Sequence, residues 1–163
     1  MSTMTDLNVL AQLDAFQNRY VAALDAKDMP AWADCFSQKD TASYICRSAE
    51  NEAHDWPIAL MLVDCRARIE ERIMFITKIW VGTFQDYRTR HFLQRVSCEP
   101  EGDAWRVRTH FSIEYTLDPQ RTQTLAAGTY DDVVEIVDGE ARFLSKKAIY
   151  DTTILPQYIV YPF

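Results

Sequence analysis

The sequence predicts an α+β fold in which about three N-terminal helices wrap a curved antiparallel sheet into a cone. Two observations carry this. In the first half of the chain, apolar residues recur at steps of three and four; from Arg88 onward they recur at every second position. There is also no internal repeat, low-complexity stretch or linker, so residues 1–163 read as one domain with an apolar tail over 154–163.

The elements follow in order. Leu7, Leu10, Leu13, Phe16, Tyr20 and Leu24 draw one stripe along a helix over 6–26, with Asp14, Gln17 and Arg19 off it. Asp28 caps a short second helix that carries Pro30 in its first turn, where a missing N–H costs little, and Trp32, Cys35 and Phe36 form its apolar face. Residues 41–49 read as a strand centred on Tyr44 and Ile45, 50–57 as a polar connection, and 58–63 as an apolar run of either class. A third helix covers 64–80: Ile69, Ile73, Ile76 and Trp80 share a face, Arg66 and Glu70 pair at i,i+4 on another, and Gly82 is a stop signal. Strands then cover 90–98, 104–117, 124–137 and 140–152, with a loop over 118–122. The second alternates Trp105, Val107, Thr109, Phe111, Ile113, Tyr115 and Leu117 against Arg106, Arg108, His110, Ser112, Glu114 and Thr116, as one covered and one polar face require. Asp138-Gly139 supplies hairpin chemistry, and Gly128 within a strand marks a bend that would curve the sheet.

Composition excludes several classes of function. Hydrophobic residues make up 48% and charged residues 25%, a globular balance. The net charge of −7 argues against nucleic acid or an anionic membrane as partner, since both need a basic footprint. No apolar run approaches the roughly 18–20 residues of a membrane span, and no signal peptide is visible, so a cytoplasmic protein with free thiols is expected. With only four glycines and neither a phosphate loop nor GxSxG, nucleotide binding by those routes is not expected.

Candidate sites are few. His54, His91 and His110 stand at no metal-ligand spacing, and Cys35, Cys46, Cys65 and Cys98 form no CxxC, so no metal is expected on this chain. Cys65, beside Arg66 near a helix start, is the one thiol with an activating neighbour, yet a structural role is favoured. His110 and Glu114 share a strand face with Arg108; they form an acid–base pair if that face looks into the cone, and a solvated or subunit-facing surface otherwise. Asp131 and Asp132 point to opposite faces and cannot form a dyad. Arg88, Arg90, Arg95, Arg106 and Arg108 gather on neighbouring strands as a partner-docking or anion-binding cluster, or as cross-strand partners of Glu99, Glu101 and Glu114. The uncharged tail, ending Ile159-Val160-Tyr161-Pro162-Phe163, must fold onto the body or onto another subunit.

Taken in order, Tyr20-x-x-x-Leu24-Asp25 with Trp32 and Phe36, Tyr87-Arg88-Thr89-Arg90-His91, Ala127-Gly128-Thr129-Tyr130-Asp131-Asp132, Asp138-Gly139 followed by Lys146-Lys147 and Tyr150-Asp151, and the closing Val160-Tyr161-Pro162-Phe163 resemble the small (beta) subunit of aromatic-ring-hydroxylating dioxygenases, with an ending most like the benzoate- or salicylate-type subunits. The resemblance spans nearly the whole chain. It implies the cone fold of nuclear transport factor 2 and ketosteroid isomerase (NTF2-like, cystatin-like). It also implies a large alpha subunit carrying a Rieske [2Fe–2S] cluster and a mononuclear iron, commonly in an α3β3 hexamer fed by an NAD(P)H-dependent reductase. A subunit of this kind is structural, so no catalytic, metal or cofactor residue is assigned here. Arg88, Arg90, Arg95, Ile159, Tyr161 and Phe163 are the expected subunit interface. The alternative is a free-standing isomerase or dehydratase of the same fold, with His110 and Glu114 as acid and base and Tyr44 or Tyr130 donating to an enolate. A small-ligand binding module is a third possibility.

Overall fold

A computed structural model describes residues 2–119 and 121–163, with side chains from Leu7 onward. Met1 and Gln120, the latter within the expected 118–122 loop, lie outside the described residues. Helix α1 (Ser2–Asp25) leads to α2 (Met29–Asp34), strand β1 (Ser43–Ser48), the short α3 (Ala49–Ala53), β2 (Met61–Val63) and α4 (Arg66–Met74). Four long strands complete the chain: β3 (Arg88–Glu101), β4 (Ala104–Thr116), β5 (Gln123–Val137) and β6 (Glu140–Tyr150). With β1 and β2 they form one six-stranded sheet in the order β2-β1-β6-β5-β4-β3.

The expected meander is β3 to β6, antiparallel throughout, but β1 lies parallel to β6, so the sheet is mixed. A parallel neighbour needs a long crossover, and the meander itself is that crossover. The Asp138-Gly139 turn has both residues at positive φ (53° and 79°), as a two-residue hairpin loop demands. Asp28 caps α2 by accepting from the Ala31 N–H.

Three local expectations change. The polar connection after β1 contains α3, started by Ser48, whose hydroxyl accepts from the Asn51 N–H. The third expected helix is α4 continued by one π-helical turn, Phe75–Ile79. Arg66 pairs with Glu70 as expected, but its Nη1 also donates to the carbonyl of Ala33 (2.9 Å), tying α4 to α2.

Core residues sit between the helices and one face of the sheet. Leu13, Phe16, Tyr20 and Leu24 of α1 are buried while Leu7, at the first turns, is exposed. They meet Trp32 and Phe36 and the inward side chains of the sheet, among them Tyr44, Phe111, Tyr130 and Phe143. Rings dominate this interior: Tyr20 stands edge-on to Phe36, Tyr130 and Phe143, and Phe111 stacks on Tyr130 at 4.4 Å.

The register shifts three times, between Arg95 and Ser97, between Ile113 and Glu114, and between Val133 and Val134. Each inserts a residue into one strand and increases its local bend. Gly128 itself carries no bulge; it permits a close approach instead, because a Cβ there would stand 2.0 Å from the Ile149 carbonyl oxygen. Backbone cannot yield as a side-chain tip can. Gly128→Ala is therefore expected to destabilise the chain by about 2–3 kcal/mol in urea unfolding, whereas a neutral outcome would mean β5 and β6 are not that close.

Candidate functional site

The inward and outward faces of β4 decide the acid–base pair. Val107, Thr109, Phe111 and Ile113 are buried, so His110 and Glu114 point away from the cone. His110 is exposed, and Glu114 accepts a hydrogen bond from Thr124. The expectation of a cone-facing acid and base is corrected by this parity: bulky apolar residues at odd positions took the interior.

On the same outer face, Asp131 joins the expected Glu101 in pairing with the arginines. Arg106 grips it through two N–H groups (3.0 and 2.8 Å), Arg108 lies at 3.6 Å, and Arg106 also reaches Glu101. These guanidinium groups hold Asp131 below the usual carboxylate range against the opposing effect of its partial burial. Arg88 and Arg90 are exposed at one end of β3, while Arg95 turns to α1 and holds Asp14 in a two-point bond (2.7 and 3.1 Å). Arg95 is thus engaged within the chain by α1.

The tail, 151–163, has no regular secondary structure, yet Val160 and Phe163 are buried and Ile159 and Tyr161 half-buried. Three tyrosine hydroxyls hold it in the cone. Tyr44 accepts from the Phe163 N–H (2.9 Å), Tyr87 accepts from the Val160 N–H (3.4 Å), and Tyr20 donates to the Phe163 carbonyl. The Phe163 ring lies against Tyr150 (5.8 Å) and Phe111 (6.3 Å). Tyr44 and Tyr130, expected as proton donors, are wholly buried, and burial raises both phenols well above 10.

Deeper still lies an ion pair. Lys146 Nζ is 3.0 Å from Asp132, both side chains are fully buried, and Gln17 donates to the same carboxylate oxygen at 2.7 Å. Asp132 does point away from Asp131, as strand parity requires. The ammonium also sits over the rings of Tyr130 (3.5 Å), Tyr20 (4.3 Å) and Phe143 (4.5 Å). Burial drives Lys146 down to about 8 despite Asp132, and burial raises Asp132. This pair is walled by rings and joins strands; it offers no surface for a substrate.

Where the end of α1 meets β3, a second polar group appears that no sequence spacing revealed. Asp25, the last residue of α1, receives His91 Nδ1 (2.6 Å), the His91 backbone N–H (3.2 Å) and the Thr89 hydroxyl (2.9 Å). Those donors lower the Asp25 carboxyl, although burial opposes them. Lys27 reaches Thr89 at 3.1 Å and lies over Tyr161 and Tyr87, and burial pulls it from 10.5 to about 8. The cavity beside His91 has room for about one water molecule. Tail and rings otherwise fill the cone.

The two lysines give a pH dependence with a definite sign. Above about pH 8 the folded chain loses protons from Lys27 and Lys146 that the unfolded chain keeps to 10.5. Stability therefore rises with pH in that window, by up to about 1.4 kcal/mol per unit per lysine, and gains nothing from them below it. Urea midpoints at pH 7.5 and 9.5 should rise more in the wild type than in Lys27→Met; equal rises would refute the assignment for Lys27.

Cys35 and Cys46 are buried, and burial pushes the Cys46 thiol up to about 12; Cys65 and Cys98 are half-buried, and all four are free. Among the described residues, no three His, Cys, Asp or Glu side chains converge as a metal site. No described helix is long and apolar enough to cross a membrane.

A helix-lined cone whose interior, among the described residues, is filled by its own aromatics and tail has the NTF2-like fold. A sequence model described as "Ring hydroxylating beta subunit" matches residues 19–157, and the chain belongs to that family. It is 25% identical over 153 residues, 93% of this chain and 96% of the relative, to subunit beta 1 of the terminal oxygenase component of terephthalate 1,2-dioxygenase from a Comamonas species. Among solved structures, it resembles a chain assigned as the beta subunit of an aromatic-ring-hydroxylating dioxygenase from Novosphingobium aromaticivorans (TM-score 0.83, 23% identity, 96% and 97% of the two chains). It also resembles the benzoate 1,2-dioxygenase beta subunit from Burkholderia mallei (TM-score 0.70, 23% identity, 92% and 97%). At these identities the two structures speak for the fold.

Proposed function

We propose that this chain is the structural, non-catalytic beta subunit of a cytoplasmic multicomponent oxygenase that hydroxylates aromatic compounds during their catabolism. Its partner is a large alpha subunit bearing the Rieske cluster and the mononuclear iron, in an α3β3 assembly supplied with electrons by an NAD(P)H-dependent reductase. The observation that supports it best is the occupied cone: Phe163 and its tyrosine clamps take the space a substrate would need. The described side chains also offer no converging donor set for either iron centre, so no step of the oxygenation is assigned to them.

The surface left for a partner includes Arg88 and Arg90 at one end of the edge strand β3, with the half-buried Ile159 and Tyr161 of the tail. Arg95 and Phe163 serve that surface indirectly, Arg95 by fixing α1 to β3 and Phe163 by anchoring the tail. Charged groups that meet a partner act on association and on register. Arg88→Glu/Arg90→Glu is expected to cut recovery of the alpha subunit at least about tenfold in co-purification while leaving the melting temperature of this chain unchanged. Full recovery would move the interface elsewhere, and turnover of an aromatic substrate by this chain alone would refute the structural role.

A further inference from the structure

The two edges of the sheet are guarded unequally. Edge strand β3 carries the exposed Arg88 and Arg90 and a bulge at Arg95/Ser97, devices that keep an edge from pairing. The other edge is β2, and 58–63, the run that ends in it, holds neither charge nor proline. Trp56, Ile58, Leu60 and Leu62 fall at every second position and are between 38% and 58% exposed. Among the described residues, the backbone of 58–63 makes hydrogen bonds only with β1.

Beside this edge stands a wall, α4 and its π-helical turn. Between them lies a groove of about 400 Å³, with Leu62 and Val63 on one side and Phe75 and Trp80 on the other. Arg68, Glu71 and Arg72 also line it; Arg68 pairs with Asp64 at 3.0 Å and Arg72 lies over Trp80. Trp80 lines a neighbouring groove too, together with Ile159 of the tail. The apolar surface is therefore continuous with the one assigned above to the partner. Where the run begins, the Asp55 side chain is 97% exposed, with Arg47 no nearer than 3.8 Å.

We propose that the iron-bearing chain lays an extended apolar segment along the free edge of β2, adding a strand to the sheet, with a basic residue meeting Asp55. This rests on the subunit reading. In strand addition, main-chain groups supply the bonds and alternate side chains take the pockets. A docked helix would leave the outer N–H and C=O groups of β2 unpaired. A second copy fits poorly. Antiparallel pairing of β2 with itself needs a two-fold axis, which an α3β3 assembly built on a three-fold axis lacks. In the register that matches the two runs, it would also set Asp55 of one copy opposite Asp64 of the other.

The test is amide hydrogen exchange on the full chain, free and co-purified with the iron-bearing chain, which is identified by its visible absorbance. Strand addition should slow exchange within 61–63 at least about tenfold in the complex. Leu60→Lys/Leu62→Lys should cut recovery of the iron-bearing chain at least about tenfold, and Asp55→Lys about threefold. These side chains are exposed, so the melting temperature of the free variants should not change. Unslowed exchange in a wild-type complex, or full recovery by the double variant, would overturn the proposal and leave the subunit reading standing. The same slowing in the concentrated free chain would give the edge to a second copy and overturn it equally. If the wild type recovers no iron-bearing chain, the subunit reading fails and the proposal falls with it.

Discussion

Phe163→Ala is expected to lower the stability of the chain by about 3–5 kcal/mol, the range found when a large ring is cut from a core. The residue is 1% exposed and touches Phe111 and Tyr150, and its backbone is gripped by Tyr20 and Tyr44. Removing the ring leaves a void beside Phe111 and Tyr150, on strands held by their own ladders, so it closes only in part. Ile154, in the same tail but 82% exposed, is the matched control: Ile154→Ser should change stability by less than about 0.5 kcal/mol. Urea unfolding of both variants decides the point. A Phe163→Ala chain within about 1 kcal/mol of the wild type would mean that the tail is a loose appendage, and the filled-cone argument would go with it. Deleting 159–163 therefore tests folding before it tests assembly.

Lys146→Ala should cost a similar amount, about 3–5 kcal/mol, because it strands the Asp132 carboxylate among rings. Asp132→Ala should cost less. The lysine it leaves behind still has three ring faces within 4.5 Å, and a desolvated cation over aromatic faces is worth about 2 kcal/mol. Replacing both, as Lys146→Met/Asp132→Leu, should recover most of the loss, since a buried pair exchanged for apolar groups of like volume is near neutral. The double-mutant cycle from urea curves gives the coupling directly. Additive losses would show that the two groups do not depend on one another.

Much of this architecture is legible in the sequence, for identifiable reasons. The alternation from Trp105 to Leu117 fixed the faces of β4, and Asp138-Gly139 fixed the hairpin. The buried pair was hidden by a bulge. Counting back from Val137 opposite Glu140, a regular ladder sets Asp132 beside Ser145; the shift at Val133/Val134 sets it beside Lys146 instead. Gln17 looked solvent-facing because it is polar and off the apolar stripe, yet that same carboxylate draws it inside. Which face of β4 curls inward is a tertiary choice, so His110 and Glu114 could be placed together but not inside or outside. The Asp25–His91 bond joins the end of α1 to β3 across the chain, with no local spacing to announce it. The parallel pairing of β1 with β6 likewise depends on how the sheet closes, since β1 precedes the meander it joins.

The central claim is that this chain is a scaffold for a chain that carries iron. Tagging it in its native cells, purifying it, and recording mass and visible spectrum together tests that most directly. The account predicts a large complex of two chains in about equal number, with the broad visible absorbance of an iron–sulfur cluster. A colourless assembly of this chain alone would contradict it.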